Sequence, residues 1–206
     1  MTKPSSDQAP ALKSARTRRR ILDAAAAVFR EQGYAPATLK DIARRADMQA
    51  GSLYYHFESK EALVEEVFET GVAAVHETVQ AALKALGKEA DAITRLRVAV
   101  STHLCCMLDE SDYAAANLRL LSQIPAEIRE RHLRRQRRYG TLWNDLIRDA
   151  TRARLIPAAL NPSIVRMLLL GALNWSVEWY HPDGESPQAI AEHLIALLLA
   201  GSTPQD

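Results

Sequence analysis

Hydrophobic periodicity constrains this chain more than any other feature. Ile21, Leu22, Ala25, Val28 and Phe29 recur at three- and four-residue steps, as do Ile93, Leu96, Val100, Leu104 and Leu108. That spacing gathers apolar side chains on one face of a helix. No alternating β-branched run appears, and Ala, Leu, Glu and Arg fill the long segments. Strand pairing has no pattern to build on, so the expected fold class is all-α.

Punctuation sets the helix boundaries. A first helix is expected over Arg16 to Glu31, closed by Gly33, with Pro36 in the turn and Thr38 as N-cap of a short helix from Leu39 to Ala46. Asp47-Met48-Gln49 forms a break, and Ala50 to Tyr55 makes a third helix. Ser59 with Glu61 and Glu66 opens a long helix towards Leu86. Further helices are expected from Ile93, near Tyr113 to Gln123, and over Ala126 to Arg154, Pro162 to Tyr180 and Ser186 to Leu199. Short helix, tight turn, short helix is the helix-turn-helix arrangement.

Several classes fall away. No apolar run approaches the roughly 18 residues that span a bilayer, and the opening stretch lacks the apolar core of a secretory signal. The expectation is a cytoplasmic protein with no membrane partner. Cys105 and Cys106 are adjacent, where a bridge would be strained, so free thiols are expected. His103 near Cys106 has no further ligands, so neither a metal nor a cofactor is expected. There is no His-Glu-x-x-His, phosphate loop, nucleophile elbow or apolar carboxylate pair, so no catalytic residue and no enzyme activity are assigned.

Charge is distributed unevenly. Residues 1–60 hold 11 Lys and Arg against 6 Asp and Glu, and residues 61–206 hold 15 against 19. A basic head on a mildly acidic body fits a polyanion partner for the head, or a merely solvated tail. Three segments are expected: a flexible tail over residues 1–15, a basic helix-turn-helix head over 16–60, and a helical body over 61–206.

The residues Thr38, Asp41-Ile42-Ala43, Ala46, Gly51-Ser52-Leu53-Tyr54-Tyr55-His56-Phe57 and Ser59-Lys60-Glu61-Ala62-Leu63 carry a more specific signal. Together they closely resemble the DNA-binding domain of TetR-family transcriptional regulators, over about residues 16–68. The resemblance implies a homodimer with a DNA head, a near-palindromic operator in double-stranded DNA, and Tyr54, Tyr55, His56 and Lys60 on the DNA backbone. Ala50, Gly51 and Ser52 suit close approach of the third helix to the major groove. Thr38 caps its helix and can offer a hydroxyl to a phosphate. Packing of Tyr54 and Tyr55 within the protein is the alternative. Arg16, Arg18, Arg19 and Arg20 either reach DNA from an N-terminal arm or belong to a solvated tail. The turn Asp47-Met48-Gln49 departs from the family's usual glycine, aliphatic and small hydroxyl residues. Asp tolerates a left-handed turn, and the Gln49 amide can read adenine or remain solvated.

For the body, the resemblance implies a dimer interface from the last two helices and an effector pocket in the preceding ones. The expected dimer residues are Leu169, Leu173, Ile190, Leu194, Leu197 and Leu198, in helices too apolar for one small core. Pocket candidates are His103, Cys106, Met107, Tyr113, Asn117, Arg137, Trp143, Asn174, Trp175 and Glu178, apolar walls with a few polar handles. Ordinary core packing is the competing reading for each. The arginine-rich run Arg129 to Arg138 reads first as a solvated helix face, but Gln136-Arg137-Arg138, Trp143 and the segment Asn174 to Pro182 look like a TetR subgroup whose small-molecule effectors are acyl-CoA thioesters. The function expected is a repressor released by a small-molecule effector. The alternative is a dimeric DNA-binding protein regulated by a protein partner, or by no small-molecule effector.

Overall fold

Ten α-helices and no strand make up residues 8–108 and 112–200, which the computed structural model describes. They are α1 (Gln8–Gln32), α2 (Leu39–Arg45), α3 (Ala50–His56), α4 (Lys60–Ala85), α5 (Ala92–Leu108), α6 (Asp112–Leu121), α7 (Ala126–Arg135), α8 (Arg137–Arg152), α9 (Pro162–Trp179) and α10 (Pro187–Ala200). The architecture is all-α, with an N-terminal helix-turn-helix segment followed by a long helix and a helical C-terminal region.

Two boundaries differ from expectation. Helix α1 begins at Gln8, well ahead of Arg16. Pro10 is tolerated there because amides of a first helical turn have no intrahelical partner to lose. Residues 8–15 are thus helix rather than tail, and residues 1–7 of the expected tail lie outside the described residues. The helix expected over Ala126 to Arg154 is two helices, broken at Gln136. Their buried positions, Ile128, His132, Tyr139, Trp143, Ile147 and Ala150, keep one stripe in register through the break, so periodicity gives no sign of it.

Contacts divide the chain into two units. The first comprises residues 1–71 and 112–132, and the second residues 72–111 and 133–206. Helix α6 and the start of α7 therefore group with the head, which a boundary drawn along the chain at Lys60 cannot express. The first unit's core includes Ile21, Phe29, Ile42, Leu53, Leu63, Phe68 and Leu120. The second packs α10 and α9 on α5, and α8 on α5 and α9. Its core includes Leu96, Leu104, Trp143, Ile147, Leu169, Leu173 and Ile195.

Candidate functional site

The helix-turn-helix is built locally. Thr38 caps α2 by accepting from the Asp41 amide at 3.1 Å, while the Asp41 carboxylate accepts from the Thr38 amide at 3.3 Å and from its hydroxyl at 2.5 Å. These bonds hold the Asp41 carboxyl below its ordinary value, the Thr38 hydroxyl foremost. The chain then turns through Asp47 in the left-handed region at φ 51°, a conformation that Asp accepts more readily than bulkier residues. Amides of Asp47 and Met48 donate back to the Arg44 and Ala43 carbonyls. Helix α3 starts after Gln49, whose side chain makes no capping bond.

Helix α3 is two-faced. Leu53 and the following Phe57 are buried with Ile42 and Ala43 of α2. Gln49, Gly51, Ser52, Tyr54 and Tyr55 face outward, with Tyr55 85% exposed and Tyr54 57%. Ala50 and His56 are half-buried, and the His56 ring meets Tyr55 edge-on at 5.3 Å. Both tyrosine rings are thus available to a partner outside the chain. A Cβ on Gly51 would meet nothing within 4 Å, so nothing in the chain's own packing requires glycine there. Close approach of another molecule supplies a reason.

The cations around this face are partly committed. Arg18 lies over the Phe57 ring at 4.2 Å, donates to the His56 carbonyl at 2.7 Å and pairs with Glu66. It ties α1 to the end of α3 and to α4. Arg19 pairs with Asp23 at 3.0 Å. Lys60 donates from Nζ to the carbonyls of Tyr34 at 2.8 Å and Ala37 at 3.1 Å and sits 4.3 Å above the Tyr34 ring. Tyr34 in turn donates its hydroxyl to Glu61 at 2.8 Å. Burial, reinforced by Glu61, pushes that phenol up to about 12.

Two residues expected in the pocket prove to belong to the first unit. Tyr113 donates its hydroxyl to Asp23 at 2.7 Å, and burial followed by that bond raises its phenol well above the ordinary value. The amide nitrogen of Asn117 lies 2.6 Å from where a Cβ on Gly71 would stand. Gln123 accepts from the Tyr34 amide at 2.8 Å. These side chains hold α6 and its following turn to α1 and α4, a cross-chain role that local sequence cannot reveal.

The second unit gathers the rest unevenly. His103, 3% exposed, meets the Tyr139 hydroxyl at 2.6 Å through Nδ1 and Asn174 Oδ1 at 3.0 Å through Nε2. With Asn174 so oriented, Nε2–H donates to it and Nδ1 accepts from Tyr139. Burial pulls the imidazole down to about 4, with Asn174 opposing. The ring is therefore neutral at physiological pH. Trp143 stands edge-on to it at 5.7 Å, Met107 is buried and Cys106 is half-buried. Tyr139 and His76, 5.2 Å apart by ring centroids, were not foreseen. Their signal was Tyr139's place four residues before Trp143 on the buried stripe. His76 Nε2 and Asn144 Oδ1 are buried without a hydrogen-bond partner.

Arg137, Trp175 and Glu178 lie on the surface instead. Trp175, 64% exposed, joins Ile164, Leu168 and Trp179 in a solvent-facing row on α9, with Leu197 exposed on α10. Leu169 and Leu173, assigned to a free dimer face, are 3% and 1% exposed and belong to the unit's own core. A helix apolar on both sides hides its outward direction, and the structure reverses that assignment. Ile190, Leu194 and Leu198 are half-buried. Among the described residues, no cluster of three metal-ligating side chains occurs and no helix is long and apolar enough to cross a membrane.

Comparison with known proteins divides the chain in sequence order, so that residues 112–132, grouped with the head by their contacts, fall in the C-terminal match. A family profile described as bacterial regulatory proteins, tetR family, matches residues 21–67, and one described as tetracyclin repressor-like, C-terminal domain, matches residues 89–202. The transcriptional repressor KstR2 of Rhodococcus jostii is 27% identical over 98% of this chain and 97% of its own length. The solved TetR-family regulator from Bordetella parapertussis is 30% identical, with a TM-score of 0.74 over 88% of this chain and 93% of that one. The structure of AibR with isovaleryl coenzyme A and operator DNA shares the fold at 23% identity, with a TM-score of 0.78 over 89% of this chain and 98% of that one.

Proposed function

Because the chain belongs to the TetR family of bacterial transcriptional regulators, we propose that it is a homodimeric repressor whose hold on a near-palindromic operator is released by an acyl-CoA thioester. The observation that carries the DNA reading is the outward row Gln49, Gly51, Ser52, Tyr54 and Tyr55, which the chain does not use for its own packing. In the major groove, the Gln49 amide reads a base edge, while Tyr54, Tyr55 and His56 hold phosphates around it; Thr38, expected there too, commits its amide and hydroxyl protons to Asp41 and serves as the cap. Lys60 contributes positive potential from behind the turn while bracing it.

Dimerisation would use the exposed row Ile164, Leu168 and Trp175 with Leu197, a patch that water leaves unfavourably solvated. Two-fold symmetry then presents two α3 helices about 34 Å apart, one turn of DNA. The effector reading draws on the neutral His103, Tyr139 and Asn174 cluster in an apolar surround, which suits a carbonyl rather than a carboxylate. It also draws on AibR, whose structure holds isovaleryl coenzyme A. Release requires the thioester to bind the DNA-incompetent state more tightly than the competent one. The protein would act in the cytoplasm, where both partners are found.

Titrating the operator-bound protein with acyl-CoA thioesters of increasing chain length, and with the matching free acids, tests this reading. Release by a thioester and none by its acid is expected. Operator binding unmoved by any thioester would overturn the effector assignment.

A further inference from the structure

The second unit also carries a groove of about 810 Å³ between the C-terminal end of α4, the start of α5 and α8. Four cations line it: Lys84, Lys88, Arg95 and Arg138. Among the described residues, none of these four side chains has an ion-pair partner. The two acids of the groove are already engaged, Asp145 with Arg148 at 3.2 Å and Asp149 with Arg152 at 2.6 Å. Positive charge therefore remains uncompensated. The groove's floor is apolar, with Leu146 buried and Leu142 half-buried.

That combination selects its ligand. A nucleic-acid backbone would match the cations and leave the leucines uncovered, and a hydrocarbon would do the reverse. A phosphate-bearing small molecule with an uncharged arm or ring satisfies both, because guanidinium and ammonium groups bond phosphate oxygens while that uncharged part covers the floor. Position adds a second argument. Gln80 of α4 lines the groove, and His76, one turn earlier at about 6 Å of helix rise, packs on Tyr139 of the neutral cluster. Likewise Arg138 faces the groove and the adjacent Tyr139 faces the core.

We propose that this groove binds the phosphate-bearing coenzyme A portion of the effector, so that Lys84, Lys88, Arg95 and Arg138 recognise its head independently of the acyl chain. This rests on the effector reading above and adds a site to it. Calorimetric titration of the full-length protein with coenzyme A, octanoyl-CoA, octanoyl-pantetheine and pyrophosphate tests it. Coenzyme A should bind with an affinity that falls as salt rises. Lys88→Ala with Arg95→Ala should weaken coenzyme A at least tenfold while leaving octanoyl-pantetheine and operator affinity unchanged. Lys84→Glu should do the same.

If these variants bind coenzyme A as tightly as the unaltered protein, the groove assignment is overturned, and release of operator by octanoyl-CoA would still support the effector reading. Absence of coenzyme A binding in the unaltered protein overturns the groove as well. Coenzyme A binding lost in the variants, with operator affinity indifferent to every thioester, would uphold the groove and refute the effector reading.

Discussion

Replacing His103 by glutamine should flatten the acid sensitivity of this protein's stability. In the folded chain burial lowers the imidazole from 6.5 to about 4, so the unfolded chain binds the extra proton first. Stability from the neutral ring is present above the unfolded value and is lost as pH falls towards the folded one. The shift corresponds to about 3 kcal/mol in total, of which about 2 kcal/mol disappears between pH 7 and pH 5. His103→Gln keeps a polar side chain between Tyr139 and Asn174 but cannot titrate. Urea unfolding at pH 7, 6 and 5 reads the difference directly. The unaltered protein should lose about 2 kcal/mol more than the variant across that range. Equal losses would refute the claim that a buried neutral imidazole organises this cluster.

Tyr55→Phe should leave the melting temperature unchanged, since the ring is 85% exposed, yet lower operator affinity about tenfold or more by deleting one hydroxyl bond to phosphate. Its salt dependence should not change, because no charge is removed; anisotropy titrations at several salt concentrations check both. Leu168→Glu with Trp175→Glu should convert the proposed dimer to monomer in light scattering, whereas a retained dimer would place the interface elsewhere. Gly71→Ala should cost about 1–3 kcal/mol by overpacking, because its Cβ would stand 2.6 Å from the Asn117 amide and 3.3 Å from the Tyr113 Cβ. Chemical denaturation measures that loss.

Much of the head was legible because its determinants are local. The Thr38 cap, the left-handed Asp47, and the alternation of buried Leu53 and Phe57 with outward Tyr54 and Tyr55 all follow from residues within a few positions of one another. The early start of α1 was hidden because its first turns carry a proline and only one large apolar residue, Leu12. What sequence could not order was direction and distance. Leu168 and Leu169 are equally apolar, and only the packed unit distinguishes the 70% exposed residue from the 3% exposed one. Tyr113 looked like a pocket wall until Asp23, remote in sequence, took its hydroxyl. The His103 cluster assembles α5, α8 and α9, so His103 and Asn174 were visible one by one, while Tyr139 and the meeting of the three were not.

The central claim is that α3 presents a sequence-reading face to operator DNA. Fluorescence anisotropy of the purified protein on the DNA immediately upstream of its gene, against a scrambled duplex and across a salt series, tests it most directly. The account predicts tight, salt-sensitive binding to the upstream DNA, at least a hundredfold weaker binding to the scrambled duplex, and loss of that preference in Gln49→Ala. Equal affinity for both duplexes would contradict it, leaving a head that holds phosphates without reading bases.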